Sequence, residues 1–133
     1  MITEDYVSFE IAKLLKEKGF DESTIMRYDS NGEISSDGRY GHYNSLKKFD
    51  FISAPTLQMA MKWLREEHNI HVEVRITNHS FSSLIAVPRY YWIIFNAKEV
   101  KWMDESTVHE SLSYKTFEQP CEAAIKYCLE NLI

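Results

Sequence analysis

At 133 residues the chain has the length of one domain and is too short for two ordinary ones. With 44% apolar and 26% charged residues it has the composition of a folded protein, not a disordered one. Its net charge of -5 disfavours a whole-surface attraction to nucleic acid or an anionic membrane, though not a local basic patch. No stretch approaches the roughly 18 apolar residues of a membrane span. The start, Met1-Ile2-Thr3-Glu4-Asp5, is polar and acidic where a secretory signal needs a basic start and an apolar run.

The first helix is predicted over residues 4–18, with Thr3 as N-cap and Glu4 and Asp5 placed to suit the helix dipole. Val7, Ile11, Leu14 and Leu15 form its apolar stripe, and Gly19 its left-handed stop. Phe9 falls away from that stripe, so it is either half exposed or covered by another element. Residues 24–28 and 33–36 read as a hairpin around Asp29-Ser30-Asn31-Gly32, where Asn-Gly suits positive φ. Residues 37–45 read as a loop, and 49–52 as a short strand. The second helix is predicted to start at Pro55, whose fixed φ suits the first helical position, after Ser53 or Ala54, and to end near His68-Asn69. Its stripe is Leu57, Ala60, Met61 and Leu64, with Trp63 at the edge.

Residues 70–77 alternate strictly: Ile70, Val72, Val74 and Ile76 point one way, His71, Glu73, Arg75 and Thr77 the other. That is the pattern of a half-buried strand. Residues 78–88 read as a loop or irregular hairpin arm, with 84–87 able to extend a strand. Residues 90–96 form a second strand that is apolar on both faces. Residues 97–109 are ambiguous, with a short strand placed around 100–103. The last helix starts after Thr116, which has capping-box spacing with Gln119. Its apolar face carries Phe117, Cys121, Ala124, Ile125, Cys128, Leu129 and Leu132. Cys121 and Cys128 lie about 10 Å apart along this helix, beyond disulfide reach, and read as buried free thiols of a reducing compartment. The expectation is a cytoplasmic protein. The order α-β-β-α-β-β-(β)-α gives an α+β fold: a small antiparallel sheet with three helices, mainly on one face.

Three blocks, residues 4–22, 54–66 and 121–132, resemble a family of short uncharacterised proteins of anaerobic gut bacteria, their phages and mobile elements. The middle block is Ala54-Pro55-Thr56-Leu57-Gln58-Met59-Ala60-Met61-Lys62-Trp63-Leu64-Arg65-Glu66, and the phrase around Trp63 is quite specific. The resemblance implies a small intracellular or phage-borne protein and brings no catalytic residue with it.

No enzyme is expected. The five histidines show no His-Glu-x-x-His spacing, and the cysteines no zinc spacing, so no metal or other cofactor is expected. Four glycines draw no phosphate loop, and no nucleophile elbow is present. Two surfaces remain. Phe9, Tyr90, Trp92, Ile94 and Trp102 are candidates for an aromatic interface. A sheet covered by helices on one face would leave Tyr90 and Trp92 on the other, open to self-association or to another protein. The alternative is covering of that second face by residues 78–88 and 97–115. Arg39, Tyr40, His42, Tyr43, Lys47 and Lys48 gather cations and stacking rings in one loop, as a single-stranded nucleic-acid site needs. The acidic balance of the chain and the neighbouring Asp37 and Asp50 weigh against that second use.

Overall fold

The computed structural model describes residues 1–78, 88–104 and 113–133. Helix α1 is Phe9–Glu17, α2 Leu57–His68 and α3 Glu118–Asn131. The strands are β1 Arg27–Tyr28, β2 Ile34–Ser35, β3 Ile52–Ser53, β4 Ile70–Asn78, β5 Pro88–Asn96 and β6 Lys101–Asp104. The α+β class is as expected, but the strands divide into two antiparallel sheets where one was expected, β2-β1-β3 and β4-β5-β6. The expected strand extension over 84–87 lies outside the described residues.

Helix α1 begins later than its apolar spacing predicts. Residues 5–7 are held extended by the segment entering α2: the Val7 N–H donates to the Pro55 carbonyl and the Leu57 N–H to the Asp5 carbonyl. Ser8 is therefore the N-cap, its Oγ accepting from the Ile11 N–H. The same pairing keeps Pro55 ahead of α2, whose cap is Thr56, with Oγ1 accepting from the Met59 N–H at 3.1 Å. Asn69 ends α2 in the left-handed region and turns the chain straight into β4. At α3 the expected capping box closes: Gln119 N–H donates to Thr116 Oγ1, and Thr116 N–H to Gln119 Oε1.

Helix α3 is the centre of the core. Its stripe of Cys121, Ala124, Ile125, Cys128 and Leu129 is fully buried between α1, α2 and the β4-β5-β6 sheet. The small sheet sits over the other side of α1. There Phe9 is covered: its ring packs 5.3 Å from Tyr28, and Gly32 in the turn beneath it has φ +81°. A Cβ at Gly32 would approach the Phe9 ring to 3.0 Å, so this turn requires glycine both for its backbone and for its contact.

Candidate functional site

The register of β4 on β5 decides which face of the large sheet is open. Val72 pairs with Ile94 and Val74 with Trp92, so the apolar face of β4 and the Trp92 face of β5 are one surface. The helices take that surface. Trp92 is 1% exposed, its ring stacked 5.3 Å from Tyr127 of α3, and Ile94 is 0% exposed. The expectation that Trp92 and Ile94 stand on an uncovered face is therefore corrected. Tyr90 shares the inner surface but lies near its end. It is part-buried, against Phe117, and exchanges backbone bonds with Tyr114. Phe9 lies on α1 over the small sheet. The five interface candidates do not come together, and Trp102 alone of them stands on the outer face.

That outer face carries its own aromatic row. Tyr91, Ile93 and Phe95 run along β5, and Trp102 pairs with Phe95 from β6. Trp102 is 61% exposed, with its ring 4.7 Å from that of Phe95. His71, opposite Phe95, completes one end. At the other end Arg75 faces Tyr91, and its Nε donates to Glu73 Oε1 at 2.8 Å. The bond to the guanidinium holds the Glu73 carboxyl below its ordinary range and raises Arg75. Between Arg75, Ile93, Trp102 and Asp104 the surface dips into a hollow of about 260 Å³. An apolar strip with a hollow and flanking charges of both signs is chemically suited to receive an apolar side chain of a partner. The last helix packs on the other face, against Trp92. The signal for it in the sequence was the second alternation of residues 90–96, which makes Tyr91, Ile93 and Phe95 as apolar as their neighbours.

The candidate nucleic-acid loop is only partly assembled. Tyr43 is buried, its hydroxyl donating to the Arg39 carbonyl at 2.8 Å. His42 is tied to Asp21 through a 2.6 Å contact with its carbonyl. Arg39, Tyr40, Lys47 and Lys48 are exposed, Tyr40 at 72%. The cation best placed against rings is Arg27, outside the candidate set. Its guanidinium lies 4.1 Å from the Phe51 ring centre and 5.1 Å from that of Tyr43, and it pairs with Asp37 at 3.5 Å. The Arg39 backbone N–H and then Arg27 hold the Asp37 carboxyl below the usual range. The cluster is engaged internally through Asp37 and the two rings, although Arg27 Nε is buried with no hydrogen-bond partner among the described residues.

A second groove, of about 490 Å³, runs between the N-terminal segment, α1 and α3. Its polar groups bind one another: Glu122 accepts from the Ser8 N–H at 2.8 Å, and Lys126 meets Glu10 at 2.9 Å. Among the described residues no three His, Cys, Asp or Glu side chains are grouped as a metal site. No described helix is long and apolar enough to cross a membrane. Cys121 and Cys128 are free and buried, and burial pushes their thiols up to about 11 and about 12. No family model matches the chain, and neither does any curated protein or solved structure.

Proposed function

We propose that this protein is a non-enzymatic interaction module of a reducing, cytoplasmic compartment, and that the outer face of the β4-β5-β6 sheet receives a partner protein. The observation that carries this reading is Trp102, largely exposed and tilted against the Phe95 ring beside the hollow at Ile93. A large exposed ring beside a hollow is the kind of feature that carries protein–protein binding energy. Arg75 and Asp104 at the rim suit a partner that presents an apolar side chain flanked by polar groups. The two free thiols support the reducing compartment. The 39–48 loop gives the nucleic-acid reading less support, because Tyr43 is buried and His42 is engaged.

The test places a photo-reactive residue at Tyr91, on the same face as Trp102, and, as a control, at Lys62, which is exposed on α2. In the cell that makes the protein, position 91 is expected to yield one discrete adduct that position 62 does not. Adding Ile93→Ser is expected to abolish that adduct while the protein stays folded by circular dichroism. The same adducts from both positions, or none from either, would overturn the reading.

A further inference from the structure

We infer that two copies of this chain join through the β4 edge, in antiparallel register about a two-fold axis at Val74, to make one six-stranded sheet. This rests on the opposite edge of the sheet from Trp102, and shares only Arg75 with the partner-binding reading above.

The edge is long, and its charged side chains are Glu73 and Arg75, one of each sign. β4 has nine residues, contains no proline or lysine, and pairs with β5 without a bulge from Ile70 to Asn78. Among the described residues nothing pairs with its other side. Edge strands of this length are ordinarily blunted by one of those devices. The phase of the ladder says which groups face outward. The Ala97 N–H donates to the Asn69 carbonyl, so the bonded pairs of β4 and β5 are the odd-numbered β4 residues. The reciprocal bonds between Tyr90 and Tyr114, on the far side of β5, agree, because Tyr90 is the partner of Ile76. Val72, Val74 and Ile76 therefore turn their N–H and C=O groups toward the free edge.

Charge then selects the register. Two-fold axes at Glu73 or at Arg75 would set a like charge directly opposite itself, which is unfavourable. An axis at Val72 leaves Arg75 opposite Asn69, and one at Ile76 leaves Glu73 beyond the end of the strand. The axis at Val74 bonds Val74 to Val74 and Val72 to Ile76, and sets each Glu73 opposite the second copy's Arg75. It also overlaps Ile70 with Asn78, so the whole strand is used. It accounts for Ile76, an apolar inner-face residue left 66% exposed in one copy, which comes to lie beside the second copy's Val72.

The test is solution mass by light scattering over a concentration series. Wild type is expected to reach twice its 15.7 kDa chain mass. Glu73→Arg and Arg75→Glu alone each turn two attractive cross-strand pairs into repulsive ones, and each should weaken the dimer about tenfold or more. The double variant exchanges the charges and should restore wild-type association. Trp102→Ser, on the opposite edge, should leave the mass unchanged. Wild type that stays monomeric at several hundred micromolar overturns the dimer. A dimer that the single reversals leave intact, or that Trp102→Ser dissociates, overturns this edge and register.

Discussion

Truncating Trp92 to alanine should cripple the fold, and truncating Trp102 should not, although the two tryptophans belong to adjacent strands of one sheet. Trp92 is sealed between the sheet and α3, against Tyr127, at 1% exposure. Large-to-small changes of that kind cost about 3–5 kcal/mol, the lost transfer energy plus the cavity left behind. Domains of this size hold roughly 5–15 kcal/mol in total, so the loss is a large fraction. At about 4 °C per kcal/mol for a chain of this length, Trp92→Ala should lower Tm by about 15 °C. Trp102 is 61% exposed and touches mainly one ring, that of Phe95. Its removal belongs with surface substitutions of about 0.5 kcal/mol, or roughly 2 °C. Thermal melts by circular dichroism read both, and acrylamide should quench Trp102 far more than Trp92 or Trp63. Equal losses of Tm from the two substitutions would refute the assignment of inner and outer faces.

The buried thiols predict alkaline weakening. The unfolded chain loses a Cys128 proton near pH 8.5–9, whereas burial keeps the folded thiol protonated up to about 12. Stability is thus unaffected by this group below that range and falls as pH rises through it, by about 1.4 kcal/mol at pH 10. Urea midpoints at pH 8 and pH 10 should differ less in Cys128→Ala than in wild type, and identical pH losses would count against it. Val100, in the turn between β5 and β6, has φ +53° and is 77% exposed. A β-branched residue pays about 1–2 kcal/mol for that region, against about 0.5–1 kcal/mol of extra unfolded-state freedom for glycine. Val100→Gly should therefore raise Tm by a few degrees, and a fall would show that the turn is not strained.

Much of the fold is legible in local pattern. The strict alternation of residues 70–77, the stripe of Leu57, Ala60, Met61 and Leu64, and the Thr116–Gln119 capping box each state an element within a few residues of chain. What escaped depends on pairings between distant segments. The start of α1 is set by hydrogen bonds from residues 5–7 to residues 55–57, and no local rule announces them. The split into two sheets follows from strands of two residues, too short for periodicity to register. The open face is the sharpest case. Residues 90–96 are apolar on both sides, so their own sequence does not choose between Trp92 and Tyr91. The choice is made by register with β4: pairing Trp92 with Val74 buries it, and a slip of one residue would have set it opposite a charged neighbour. The face of Trp102 is set in the same way, by the pairing of β6 on β5 that places it beside Phe95, and no local pattern in residues 97–104 states that pairing.

The central place of α3 has a consequence for how the chain comes into being. The helix that fills the middle of the core is synthesised after every strand it covers. From Asn96 to Asn131, elongation at about 5–20 residues per second leaves roughly two to seven seconds in which the inner sheet face lacks α3. During that interval Trp92, Ile94 and Val74 form a sticky nascent surface beside an unpaired strand edge. Correct maturation is then a race between the arrival of this helix and premature pairing of neighbouring chains on the same messenger. Substitutions that weaken the α3 cap at Thr116 should therefore reduce the yield of properly folded chains more than they reduce the stability of the finished protein.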